Sequence, residues 1–174
     1  MNGIPIPDLM ARREGLRRAT LGTSIGLLIQ YGLGMWVNLY VTVPARDQGG
    51  GMAAAIGRAL SNGPAALAVH TGVGLLLVGS AVALVVRAAA ARHRAVIVTS
   101  SISLAAIVAA AASGAAFVNA GHDGASVAMG LLTGVALLGS LVSLYILGSA
   151  GAAPAGWPAP LPPRSQDPTT QGTS

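Results

Sequence analysis

The sequence predicts an all-α protein, a four-helix transmembrane bundle with both termini cytoplasmic. Three observations carry that expectation. Four stretches hold no formal charge: Ala19–Ala45, Ala59–Val86, Ala95–Gly121 and Gly124–Pro163. Each contains a run that meets the ~20 apolar residues needed to span a ~30 Å hydrocarbon core. Only 9% of the 174 residues are charged, and mean hydropathy is +0.67; a soluble domain carries about 25% charged residues. The charges that remain are clustered. Arg12, Arg13, Arg17 and Arg18 precede the first stretch, and Arg87, Arg92 and Arg94 separate the second from the third. Such clustering marks cytoplasmic loops.

Residues 1–18 read as a short basic cytoplasmic segment. Ile4-Pro5-Ile6-Pro7 interrupts a helix, and Asp8 can cap a brief one. Span one is expected at 19–43, closed by Pro44. A secretory leader is disfavoured because the apolar run far exceeds the 7–15 residues of a leader core. Residues 46–63 form an outer loop in which Met52, Ile56 and Leu60 recur every four residues. That spacing predicts a short helix lying on the outer surface. Span two is expected at 64–86, opened by Pro64. A tight inner turn over 87–94 leads to span three at 95–118. A tight outer turn over 119–123 leads to span four at 124–147. Residues 148–174, rich in Pro, Ala and Gly, read as a disordered tail with Trp157 as an interface anchor.

Orientation follows from the arginines, which are all ten of the basic residues. Eight fall on the proposed inner side, counting Arg164, and two on the outer side, Arg46 and Arg58. The same placement turns a net charge of +5 away from nucleic acid and towards membrane lipids, whose anionic head groups it suits. The absence of Cys excludes disulfides and thiolate chemistry. The Arg-rich, Lys-free composition with abundant Ala and Gly is that of a high-GC bacterium, which places the chain in a bacterial cytoplasmic membrane.

Lipid supplies no hydrophobic drive to helix association, so close backbone approach at small residues must replace it. Gly22 and Gly26, then Gly130 and Gly134, have GxxxG spacing, and Ala105, Ala109 and Ser113 repeat it in span three. These faces serve packing within the chain, or pairing with a second copy or a partner subunit. Thr99, Ser100, Ser101 and Ser103 are expected to bond their own i−4 carbonyls.

No catalytic constellation is present. All five carboxylates, Asp8, Glu14, Asp47, Asp123 and Asp167, lie outside the spans, which leaves none for a membrane proton relay. His70 is the ionisable group that stands inside a span, about 9 Å below its start at helical rise. Its expected partners are Asn38 or Tyr40 of span one. Gln30, Tyr31, Asn38 and Tyr40 form a possible polar cluster facing it. Gly72 and Gly74 leave space beside His70 for a flat macrocycle, and haem sites are built between facing helices in this way. A metal site from His70, His122 and Asp123 would need the depth gap between them closed.

On those residues the layout resembles one half of the haem A synthases, and more loosely the cytochrome b561 type. The resemblance implies haem b with His70 as an axial ligand. His122 departs from that pattern because it lies in the outer turn, and Met129 or Met35 is the better placed second ligand. Trp36-Val-Asn-Leu-Tyr40 and Asn119-Ala-Gly-His-Asp-Gly-Ala-Ser126 are similar to uncharacterised four-span membrane proteins of high-GC bacteria, a family that implies no activity. The leading expectation is a non-enzymatic accessory or structural membrane subunit, in a complex or a homo-oligomer. The alternatives are a b-type haem protein using His70, and a small-molecule or lipid binder with a cavity near Gln30, Tyr31 and His70.

Overall fold

A helix of 35 residues, α1 (Ile6–Tyr40), opens the chain in the computed structural model, which describes residues 6–41, 50–120 and 123–149. Four more helices follow: α2 (Met52–Ser61), α3 (Ala65–Ala90), α4 (Arg94–Ala120) and α5 (Asp123–Ser149). The described residues are therefore helical almost throughout. The segments 1–5, 42–49 and 150–174 lie outside the described residues, and with them the expected tail, Trp157, Arg46 and Arg164.

α1 corrects the expected boundary between a polar lead and a first span. One continuous helix covers both. Pro7 sits in its first turn, where a missing N–H breaks no intrahelical bond. The following Ala11-Arg12-Arg13-Glu14 and Leu16-Arg17-Arg18 are good helix formers. Glu14 accepts from Arg18 Nε at 3.0 Å, an i,i+4 pair that adds local support. Leu16 is then buried against the neighbouring helices.

α3, α4 and α5 are each long and apolar enough to cross a membrane, over Ala65–Ala90, Arg94–Asn119 and Gly124–Ser149. At 1.5 Å per residue, 26 residues reach ~39 Å, which exceeds the ~30 Å hydrocarbon core. α1 falls short of that apolar content, because Gln30, Tyr31, Trp36, Asn38 and Tyr40 interrupt it.

α1 packs on α3 and α5, and α4 packs on the same two helices, so contacts run around all four long helices. Their interior is layered. At one end Leu16, Leu84, Ala88, Val96 and Leu147 form an apolar cluster. Arg12, Arg13, Arg17, Arg18, Arg87, Arg92 and Arg94 all belong to this end in sequence. Next comes a layer of buried hydroxyls: Thr20, Thr23, Ser24, Ser100, Ser103, Ser140 and Ser143. Above it Leu27, Leu77, Ala81, Ala106, Ile107 and Ala136 make a second apolar cluster. A third, Val37, Ala59 and Leu67, closes the far end under α2.

The polarity is inverted relative to a soluble core. Every buried polar side chain among the described residues is a small hydroxyl, while Leu28, Leu76, Ile102 and Leu131 face outward. Five of these hydroxyls bond to backbone, whereas Ser140 and Ser100 have no hydrogen-bond partner, so the i−4 bond expected for Ser100 does not form. Thr20, Thr23, Ser24 and Ser143 bond their own i−4 carbonyls, as does Ser103 with Thr99. Thr99 and Ser143 also meet across the α4–α5 seam at 2.6 Å, and Ser103 donates to Ala136 O at 3.1 Å. Gly139 permits that approach, since a Cβ there would run into Ser103 Oγ.

The turn between α3 and α4 is tighter than the expected 87–94. α3 continues through Arg87 to Ala90, and Arg92 takes a left-handed conformation with φ 52°. Arg92 N bonds Ala89 O and His93 N bonds Ala88 O, the two reverse bonds of a Schellman motif.

Candidate functional site

A cavity of about 180 Å³ lies between the second and third apolar clusters. Its floor is Leu27, Leu77 and Ile107, and its roof is Val37, Leu67 and the α2 residues Ala55, Ile56 and Ala59. Small residues create the space. Gly34 on α1, Gly74 on α3, Gly114 on α4 and Gly130 on α5 all line it. The pocket is partly open, since Tyr31 and Met35 line it and are also exposed.

The roof differs from expectation in which face it uses. α2 forms where the spacing of Met52, Ile56 and Leu60 predicts a helix, but Ala55 and Ala59 are the buried positions. Small side chains let α2 lie close on α3 and α4, and Met52 and Leu60 stay exposed. Gly63 makes the sharp corner into α3: a Cβ there would sit 2.7 Å from Ala59 O. Arg58 Nη2 donates to Asn119 Oδ1 at 3.3 Å and ties α2 to the end of α4.

His70 and Gln30 meet on the cavity wall. Gln30 Nε2 donates to the His70 backbone carbonyl at 3.1 Å and lies 3.4 Å from His70 Nε2. The amide end pointing at a carbonyl must be the NH₂, which fixes the orientation of Gln30. Its second proton then faces His70 Nε2, so that nitrogen is the acceptor and Nδ1 carries the ring proton. His70 Nδ1 and Gln30 Oε1 are both buried and have no hydrogen-bond partner.

The partner expected for His70 is thus replaced. Asn38 instead accepts from Ser126 Oγ at 2.8 Å, and Tyr40 is exposed and meets Trp36 in a tilted ring contact at 4.7 Å. Counting residues from the helix ends misjudged the register. Val37 packs against Leu67, so the position level with His70 is Gly34, one turn below Asn38. A Cβ on Gly34 would lie 3.2 Å from His70 Cε1 and 4.0 Å from Met129 Cε. Gln30, one turn deeper again, reaches His70 because its side chain is long. Tyr31 and Met35 line the cavity with their remaining surface exposed. Gln30, Tyr31 and Asn38 therefore share the cavity with His70, and Tyr40 does not.

Met129 joins the same wall, with its sulfur 3.1 Å from where a Cβ on Gly114 would lie. His122 lies outside the described residues. The space that Gly74 opens beside His70 is taken by the amide of Gln30, whose Nε2 lies 3.1 Å from a Cβ placed there. Among the described residues no three His, Asp or Glu side chains gather into a metal-binding group. Sequence reasoning placed Gln30 and Tyr31 near His70 and set Met129 at its depth, but did not reach the contact between Gln30 and His70. It missed Gly34 and Gly114, whose meaning depends on what approaches them.

Comparison with protein-family models, curated proteins and solved structures returns no match, so the chemistry of the cavity is read from its own residues.

Proposed function

We propose that this chain is a four-span membrane protein that binds a small, mainly apolar molecule in the cavity beneath α2. The carrying observation is the cavity itself: about 180 Å³, walled mainly by Leu, Ile, Val, Ala, Gly and Met, with Gln30, His70 and Thr71 among the few polar residues that line it. A concave, mostly apolar site with a few convergent polar groups is the ordinary form of a ligand pocket. α1 serves as the fourth span in this reading. Its Gln30 amide turns towards α3 and bonds the His70 carbonyl, and Asn38, though exposed, accepts from Ser126 of α5. The arginine end is cytoplasmic and α2 covers the outer end.

The geometry favours this reading over haem. Pockets for drug-sized ligands run about 300–1,000 Å³, and a tetrapyrrole is at least drug-sized. His70 Nε2 lies 3.4 Å from the Gln30 amide, which occupies that nitrogen within the chain.

Mild detergent extraction of the full chain, followed by solvent extraction and mass spectrometry, tests the proposal. A near-stoichiometric small apolar molecule is expected from the natural sequence and is lost when Ala110→Leu fills the cavity. Equal recovery from both proteins would reject it.

A second reading, the accessory subunit expected from the sequence, draws on Gly22 and Gly134. Neither has a neighbour within 4 Å of an added Cβ, so their part of each GxxxG face is open within the chain. Cross-linking in membranes, with and without Gly134→Leu, measures whether those faces hold a partner or a second copy.

A further inference from the structure

The cavity reaches the edge of the bundle between α1 and α5. Asn38 accepts from Ser126 Oγ at 2.8 Å, which fixes the register of that seam. One helical turn deeper on each of these antiparallel helices, Gly34 comes level with Gly130. The 4.0 Å between Met129 Cε and a Cβ placed on Gly34 agrees with that register. Gly130 lines the cavity, and a Cβ added to it meets nothing within 4 Å. Tyr31, two turns before Asn38, shares its face of α1, and Met35 follows one turn later. Both line the cavity while remaining 47% and 49% exposed. The gap lies at a depth where lipid surrounds the helices. At 1.5 Å per residue Gly130 is ~9 Å from Gly124, where the candidate span in α5 begins. A ~39 Å helix centred on a ~30 Å hydrocarbon core overhangs it by only ~5 Å at each end. Val127 and Leu131, on either side of Gly130 along α5, are exposed apolar residues suited to acyl chains.

We infer that this gap is a lateral window through which the ligand passes between the cavity and the outer leaflet of the membrane, so that the site takes a molecule dissolved in lipid rather than in water. The inference rests on the binding role and topology proposed above and adds the source of the ligand and its route. The border of the window suits passage. Gly130 has no side chain to displace. Methionine is unbranched and adaptable, and exposed side chains change rotamer within nanoseconds. Met35 and Tyr31 therefore swing aside while the helices stay in place. The Asn38–Ser126 hydrogen bond holds α1 and α5 together on the side nearer water. The other two exits are bordered differently. α2 covers the end of the cavity, packed on α3 and α4 and tied by Arg58 to Asn119. At the α3–α4 seam the cavity reaches Leu75 and Ala111, which are also exposed, but there a branched side chain has to give way.

Fluorine NMR on the purified full chain in lipid nanodiscs tests this, with fluorobenzene as the probe. Saturable binding separates the cavity from partition into lipid, which is linear in probe concentration. Exchange broadening then gives the rates of entry and exit. Gly130→Leu, which obstructs the gap, is expected to slow both about tenfold. Met35→Ala, which widens it, is expected to quicken both. Weaker binding by itself quickens exit and does not quicken entry, so slower exit in the first variant and faster entry in the second both report the window. If Gly130→Leu no longer binds the probe, entry into Met35→Ala decides. Ala111→Leu at the α3–α4 seam and Arg58→Ala, which loosens α2, probe the other two exits. Saturable binding whose entry rate neither window variant changes would overturn the window and leave the pocket in place. Slower entry in Ala111→Leu alone would move the route to the α3–α4 seam, and faster entry in Arg58→Ala alone would move it to the water side; either result overturns the inference. No saturable binding to the natural sequence would overturn the pocket and the window together.

Discussion

At the scale of single residues, glycine does much of the positioning. Gly34, Gly74 and Gly114 each lie where a methyl group would press on a side chain of the site: His70, Gln30 and Met129 respectively. Hydrogen at these three positions lets the polar pair and the methionine approach α1, α3 and α4 closely. Gly34→Ala is therefore expected to fold but to displace the His70 ring by a few tenths of an ångström, weakening any bound ligand; loss of the co-purifying molecule measures it. Gly63 differs in kind because it faces backbone, and Ala59 O cannot rotate away. Gly63→Ala is expected to cost about 1–3 kcal/mol, the range for overpacking, and to lower the thermal midpoint in detergent.

Two adjoining features decide stability at the scale of elements. The α4–α5 seam is the most extensive helix contact and carries the hydroxyl pair Thr99–Ser143. Interhelical hydrogen bonds in membranes average about 0.6 kcal/mol. Ser143→Ala is expected to cost roughly that much, since Thr99 keeps its bonds to Ala95 O and Val96 O. The α3–α4 turn places a left-handed residue at Arg92, where most Schellman motifs use glycine. Left-handed conformation costs an ordinary residue about 1–2 kcal/mol. Arg92→Gly is accordingly expected to stabilise the chain by about 1 kcal/mol, read as a rise in melting temperature. The arginine carries that cost in a turn that, in the topology proposed above, lies on the cytoplasmic side.

For the whole molecule, the layers form a sequence along the long axis: arginines, apolar cluster, hydroxyls, apolar cluster, cavity, α2. The hydroxyl layer brings α4 and α5 together through Thr99, Ser143 and Ser103 without a charged group, and the cavity opens beyond the second apolar cluster. The proposed topology makes a prediction that the chain is suited to test, because it contains no Cys. A single Met52→Cys on exposed α2 is expected to react with a membrane-impermeant maleimide in intact cells. A single Arg92→Cys is expected to react only after the cells are broken. Reversed labelling would reverse the orientation and place the cavity at the inner surface.

Helix type, and most helix boundaries to within a few residues, were legible in the sequence, because long uncharged stretches bounded by Arg, Pro and Gly admit few alternatives in lipid. The identity of His70 and Gln30 as the notable polar groups was legible for the same reason: a ring or amide inside an apolar stretch stands out against Leu, Val and Ala. Their pairing was not. It depends on the register of α1 against α3, set by Val37 on Leu67 and by the depth that Gly34 and Gly26 allow. Gly26 in particular faces Leu77 Cδ2 at 2.9 Å from an added Cβ, a contact between residues 51 positions apart. The continuity of α1 through its basic start was also decided in three dimensions, since burial of Leu16 among α3, α4 and α5 anchors that half of the helix. Hydropathy and charge act locally and are written residue by residue. Register, cavity and unpartnered atoms arise from how separate helices meet, and only the tertiary structure holds them.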